Sequence, residues 1–145
     1  MSEQNSGFDI SAQAELATRE DEGTVVHIHD LSDRPMFFDR NGTNVPVTIT
    51  VAGTHSKRYR RAEEQLRKRK LRSRNLTGEV IYEDNIEKLA ACTLEWDGFF
   101  DHGDPVRCDS ANARRLYKAC PWVVPQLTEA MDDHESFFSK DSQES

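Results

Sequence analysis

The alternation of side chains in residues 45–51 restricts the fold of this chain more than any other feature. β-branched apolar residues occupy every second position there: Val45, Val47, Ile49 and Val51. A period of two is typical of a half-buried strand. The Asn41-Gly42 pair before it is a hairpin signal, and TVVHIHD at 24–30 has the composition of another strand. We therefore predict a small antiparallel sheet within residues 24–52.

A strongly basic segment follows at residues 56–74. Ten of its nineteen residues are Lys or Arg and two are Glu, whereas the whole chain has a formal net charge of −7. The segment thus carries about +8 and the rest of the chain about −15. Such asymmetry is informative about solubility and partners rather than about fold. Three interpretations are open: a solvated helix, a surface that binds an acidic protein or a second copy of the chain, and a nucleic-acid site. Against the nucleic-acid site, Tyr59 is the only aromatic residue of the segment that could stack on a base.

The spacing of apolar residues predicts a helix over residues 54–74, which Thr54 or Ser56 can cap. Three residues share one face of its first half: Tyr59, Ala62 and Leu66. Beyond Leu66, charged residues replace this stripe. We therefore expect the helix to dock by its first half and to project its second half into solvent.

Apolar residues at helical spacing predict three further helices, over residues 79–96, 109–119 and 121–138. Turn-forming Asp, Gly and Pro residues separate the first from the second, and Pro121 suits the first turn of the last. The predicted fold class is α+β, with a small N-terminal antiparallel β-sheet followed by a mainly α-helical C-terminal half.

The length and composition indicate one domain with solvated ends. A chain of 145 residues can build a modest core, and its 36% of hydrophobic and 31% of charged residues favour a small one. Residues 1–23 are predicted to be a flexible acidic arm and residues 139–145 a flexible tail. The predicted domain, 24–138, has three parts: the β part 24–52, the basic helix 54–74 and the helical part 79–138.

The sequence offers no targeting signal. No apolar run is long enough to span a bilayer, and the first residues lack the basic and apolar regions of a signal peptide. Three cysteines without metal-ligand spacing suit a reducing compartment. We therefore expect a soluble cytoplasmic protein that makes no membrane contact.

Three patterns were compared with known kinds of site. His27 and His29 point to one side of a strand, where they are either zinc or copper ligands or polar residues on a solvent face. The aspartates of residues 97–109 either hold calcium or form turns and a helix cap, and their spacing does not match an EF-hand loop. Cys108 lies beside Arg107, which could lower the thiol pKa, but no catalytic signature surrounds it. The sequence therefore predicts no enzyme, no metal site and no cofactor.

An ordered series of motifs occupies the C-terminal half. A helix ends in a Trp-x-Gly turn at Trp96-Asp97-Gly98, and an acidic Gly-x-Pro loop follows at 101–105. A short capped helix then ends before Pro121, and the last helix carries spaced apolar residues and terminal aromatics. This series resembles tail assembly chaperones of long-tailed (siphovirus-type) bacteriophages. The resemblance extends over about residues 24–138, although the KRKLRSR extension of the basic helix is more basic than that family leads us to expect.

The resemblance implies a non-enzymatic role in the cytoplasm of an infected bacterium. Members of the family bind the long helical tape-measure protein, keep it soluble and help to recruit tail-tube protein, and they are expected to be absent from the mature virion. One alternative is a small nucleic-acid-binding protein that uses the basic helix at 57–74. Another is a minor structural tail or head-tail joining protein of the virion.

A chaperone for a long amphipathic helix requires exposed apolar grooves. The aromatic residues of the C-terminal half either line such a groove or form the core, and Trp96 favours the core. The basic helix is expected to contact an acidic surface, including that of a neighbouring copy. The predicted partner-binding residues are Arg58, Arg61, Arg67, Lys68, Arg69, Lys70, Trp122, Phe137 and Phe138.

Overall fold

The fold combines a central antiparallel sheet with helices, which confirms the predicted α+β class. The computed structural model describes residues 7–72 and 77–138. The elements in chain order are α1 (Ile10–Glu22), β1 (Thr24–His27), β2 (Phe37–Arg40), β3 (Thr43–Pro46), β4 (Thr48–Val51), α2 (Lys57–Arg72), α3 (Gly78–Cys92), β5 (Thr93–Asp97), β6 (Phe100–Asp101), β7 (Asp104–Pro105), α4 (Ser110–Ala119), a short 3-10 helix (Pro121–Val123), α5 (Val124–Asp132) and α6 (His134–Phe138).

The main sheet has the strand order β1-β4-β5 and is antiparallel throughout. Its β1 and β4 strands confirm the sheet predicted within residues 24–52. The third strand corrects the helix predicted over 79–96, because α3 ends at Cys92 and Thr93–Asp97 pairs with β4. The free edge of β4 requires hydrogen-bond partners, and β-branched and aromatic residues such as Thr93 and Trp96 suit a strand.

A separate hairpin, β2-β3, is closed by the Asn41-Gly42 turn, as its sequence predicted. The single strand expected over 45–51 is therefore divided at Val47. Residues before Val47 pair with β2, and residues after it pair with β1 and β5. Val47 itself donates its N–H to the Met36 carbonyl and accepts from the Ile28 N–H.

The core lies between the main sheet and the helices that cover it. Of the four residues predicted to face inward, Val47, Ile49 and Val51 are buried and Val45 is half-buried. Ile86 and Leu89 of α3 contribute to the same cluster, as do Tyr117 of α4 and Leu127 of α5. The Tyr117 hydroxyl is 2.6 Å from Thr93 Oγ1, so its one polar atom is satisfied inside the core.

The N-terminal region differs from the flexible arm predicted over residues 1–23. Residues 10–22 form α1, which Asp9 caps by accepting a hydrogen bond from the Ala12 N–H. The Glu20 residue is only 4% exposed, and its carbonyl accepts from the Gly53 N–H. Helix α1 thus docks by its C-terminal end through polar contacts, which a count of apolar residues does not reveal. The first six residues and the tail predicted at 139–145 lie outside the described residues.

Within residues 7–72 and 77–138, no helix has both the length and the apolar character needed to cross a membrane.

Candidate partner-binding site

The basic helix α2 begins where the acidic end of α1 meets it. The Ser56 hydroxyl accepts from the Tyr59 N–H at 3.2 Å, which confirms Ser56 as a cap. The Asp21 carboxylate accepts from the Lys57 N–H at 2.6 Å. A carboxylate at a helix N-terminus satisfies an orphan donor and interacts favourably with the helix dipole. These contacts fix the start of α2 against α1.

The apolar stripe predicted on α2 is buried, and α2 packs on α3. Ala62 and Leu66 are buried at 8% and 6% exposure, and Tyr59 packs against the core. The prediction that the second half projects into solvent is wrong at least as far as Lys70. The Lys70 Nζ lies 3.5 Å from Oδ2 of Asp84 on α3, so the two helices remain side by side there.

All six predicted cations of α2 are exposed. Two of them, Arg67 and Lys70, line a cleft of about 170 Å³ between α2 and α3. Lys88 of α3 lines the same cleft, with Leu66 on its apolar side. We call this cleft the basic cleft, and its remaining lining residues are Glu63 and Asp84.

The other four cations lie elsewhere on the helix surface. Arg58 donates to the Ala91 carbonyl at 3.5 Å, and Lys68 lies 3.8 Å from Glu64. In the part of the chain that the structure describes, no ion pair of Arg61 or Arg69 is found. These two arginines therefore present free positive charge outside the basic cleft.

An apolar groove of about 380 Å³ adjoins the basic cleft, between α2, α3 and α5. Leu89 and Met131 are almost fully buried at its base, with exposures of 1% and 3%. Tyr59 lines it from α2, and the Lys88 Nζ lies 5.4 Å from the centroid of that ring. Lys88 lines both cavities, so the apolar groove and the basic cleft meet at this residue. The sequence did not reveal this groove, because its width depends on the separation of three helices.

The aromatic residues considered in the sequence differ in how deeply they are buried. Trp96 packs against the core and lines a second cavity, of about 310 Å³, together with Phe99 and Phe100. Trp122 is half-buried and packs against the core. Phe137 is completely buried, so its prediction as a partner-binding residue is wrong. The side chain of Phe138 lies outside the described residues.

The histidines and the cysteine considered as chemical sites make other contacts. His27 Nε2 lies 2.8 Å from the Met36 carbonyl oxygen, and His29 Nδ1 lies 3.1 Å from Asp33 Oδ1. Burial raises the pKa of Cys108, and the neighbouring Asp109 raises it further. The pKa of the thiol is therefore raised, whereas activation of a nucleophile by Arg107 would lower it.

The aspartates at 97–109 contact protein groups. Asp97 pairs with Arg40, and Asp101 lies 3.2 Å from Arg115. Asp109 caps α4 by accepting from the Asn112 N–H at 2.8 Å. The predicted roles of these residues in turns and capping agree with this geometry.

No protein-family model, curated protein or solved structure matches this chain. Function is therefore inferred from the apolar groove and the basic cleft, which share Lys88.

Proposed function

We propose that this chain is a non-enzymatic assembly chaperone that binds an amphipathic helix of its client in the apolar groove. Following the resemblance of its motifs, we take the client to be the tape-measure protein of a long-tailed phage. The chaperone then acts in the host bacterial cytoplasm, assists assembly of the tail tube and is absent from the finished virion.

The position of the apolar groove next to the basic cleft, with Lys88 lining both, is the observation that carries this proposal. Helix-in-groove recognition uses an apolar stripe on the bound helix, with residues spaced three and four apart. Tyr59 and Val124, which are half-buried, and Pro125, which is exposed, line the groove and offer such a stripe an apolar surface. Arg67, Lys70 and Lys88 line the neighbouring basic cleft, where they favour acidic residues beside the stripe. The preferred client segment is therefore an amphipathic helix with an acidic flank.

The charge distribution of the chain supports the same role. A net charge of −7 favours solubility of a complex that contains a long hydrophobic client. The basic residues of α2 are the exception, and they adjoin the groove. The same basic face also suits the acidic surface of a second copy, so self-association competes with client binding.

Co-expression with the tape-measure protein of the same phage tests this proposal. We expect the chain to raise the fraction of tape-measure protein in the soluble lysate and to co-purify with it after nuclease treatment. A tape-measure protein that remains insoluble, or a complex that nuclease dissolves, contradicts the proposal. The chain should also be absent from purified virions when these are analysed by mass spectrometry, which separates a chaperone from a minor tail protein.

Two substitutions with matched controls test the surface itself. Arg67→Glu reverses a charge in the basic cleft, and we expect about tenfold weaker client binding because a charged contact contributes roughly 1.5 kcal/mol. Arg69→Glu makes the same charge change outside the cleft and should have little effect.

Asn85→Trp places a bulky side chain at the exposed edge of the groove and should also weaken client binding, and Glu83→Trp is its control on the same helix. Equal losses within each pair would show that the client binds elsewhere.

The exposed charges of Arg61 and Arg69 favour nucleic acid as the second candidate. Contacts with phosphates release counterions, so the affinity for bare DNA or RNA should then fall steeply with salt. Arg61→Glu and Arg69→Glu should weaken that binding, whereas Asn85→Trp should not. The two candidates therefore respond to different substitutions.

A further inference from the structure

Three residues far apart in the sequence meet beside α1. Glu20 Oε2 lies 3.3 Å from His55 Nδ1 and 3.0 Å from His134 Nδ1. The two imidazole rings have centroids 4.6 Å apart. The Glu20 side chain is only 6% exposed, whereas those of His55 and His134 are 66% and 41% exposed. A buried carboxylate therefore faces two accessible imidazoles.

We infer that Glu20, His55 and His134 form a binding site for a divalent transition-metal ion, with Zn²⁺ as the representative case. The three potential ligand atoms lie within 4.8 Å of one another. Among the described residues, no other group of His, Cys, Asp and Glu converges in this way. This inference does not depend on the proposed chaperone function.

The distances suit tetrahedral coordination. Zinc binds imidazole nitrogen at about 2.0–2.1 Å and carboxylate oxygen at about 2.0–2.2 Å, so neighbouring ligands of a tetrahedral ion are roughly 3.3–3.5 Å apart. The Glu20–His55 separation of 3.3 Å already falls in this range, and the Glu20–His134 separation of 3.0 Å needs to open by a few tenths of an ångström. The nitrogens of His55 and His134 lie within 4.8 Å of each other, so an ion can enter once the imidazoles also come to this separation.

The protein also orients the carboxylate. Glu20 Oε1 accepts from the His55 backbone N–H at 3.0 Å, which leaves Oε2 directed at the two imidazoles. Gly53 makes room for this arrangement, because a Cβ at that position would lie 2.8 Å from Glu20 Cδ. Hydrogen bonds of this kind, from groups that do not touch the ion, fix ligand orientation and raise metal affinity.

The surroundings leave a fourth coordination position for water or another ligand. All three residues line a cavity of about 730 Å³, which also includes Leu16 and Arg60. Two histidines and one carboxylate with an open position are a donor set that zinc accepts. Imidazole ligands also suit Cu²⁺ and Ni²⁺, so selectivity among these ions depends on availability.

An ion at this site would join three separate segments: the end of α1, the loop before α2 and the start of α6. Glu20 and His55 are 35 positions apart, and Glu20 and His134 are 114 apart. These separations have no recognisable ligand spacing, which explains why the sequence predicted no metal site. Since the unfolded chain lacks such a site, bound metal should stabilise the folded protein.

Zinc titration of the full chain, purified without metal or a histidine tag, tests the inference. We expect calorimetry to give one Zn²⁺ per chain and the melting temperature to rise with Zn²⁺. Glu20→Gln and His134→Gln should each weaken binding by at least about tenfold. His102→Gln is the control, because that side chain is 95% exposed and lies in the β6–β7 turn.

Two further measurements test whether a variant loses binding only because it misfolds, and whether a cysteine is a ligand. Gly53→Ala retains all three ligands but displaces the Glu20 carboxylate, so it should also weaken binding while circular dichroism stays unchanged. The Co²⁺ complex should lack the charge-transfer absorption of a thiolate ligand. No binding by the wild-type chain, equal weakening by His102→Gln, or a thiolate band would overturn the inference.

Discussion

Leu127→Ala is expected to lower the free energy of unfolding by about 2–5 kcal/mol, because it leaves a cavity in the centre of the core. Leu127 is 0% exposed, and α5, which carries it, contacts β1, β4, α3 and α6. These neighbours are regular elements, which limits how far the backbone can collapse into the space. A domain of this size has a total stability of about 5–15 kcal/mol, so the loss is a large fraction of it.

Urea denaturation followed by circular dichroism measures this change. Leu31→Ala is the matched control, because it removes the same atoms from a side chain that is 73% exposed. We expect the control to change stability by no more than about 0.5 kcal/mol. A similar loss for both variants would mean that α5 does not pack on the sheet as described.

Part of the fold was predictable from local patterns in the sequence. Strand β4 was predictable because alternation with a period of two is a local signal. Its residues Ile49 and Val51 are buried as expected, but Thr50, which was expected on the opposite face, is buried as well. The cap at Ser56 and the stripe on α2 were predictable for the same reason. Strand β5 was not, because its residues also fit helical spacing and only the free edge of β4 decides between the two.

The docking of α1 and the candidate sites depend on contacts between distant residues. Glu20 and Asp21 look like ordinary solvated acids in the sequence, yet they accept hydrogen bonds from the His55 and Lys57 backbones. The basic character of α2 was evident, but its position beside an apolar groove was not, because Lys88 and Met131 come from other helices. Phe137 was misassigned since a terminal aromatic residue can equally close a core.

Gly98→Ala is expected to lower the free energy of unfolding by about 2–5 kcal/mol, because two costs add at this position. Gly98 has a φ of 92°, a left-handed conformation that costs a residue with a Cβ roughly 1–2 kcal/mol. A Cβ there would also lie 2.6 Å from Phe38 Cδ1 and 3.0 Å from Val47 Cγ2. Displacing these packed side chains adds about 1–3 kcal/mol.

Gly103→Ala separates the two costs. Gly103 has a φ of 86°, but no atom lies within 4 Å of the Cβ that alanine would add. Gly103→Ala should therefore lower the free energy of unfolding by only roughly 1–2 kcal/mol. The difference between the two variants in thermal or urea unfolding then measures the clash with Phe38. If both variants lose the same amount, the β2-β3 hairpin does not pack against the turn at Gly98. A larger loss at Gly98 gives the Trp96-Asp97-Gly98 motif a structural explanation, since the turn must bring β5 past the hairpin without room for a side chain.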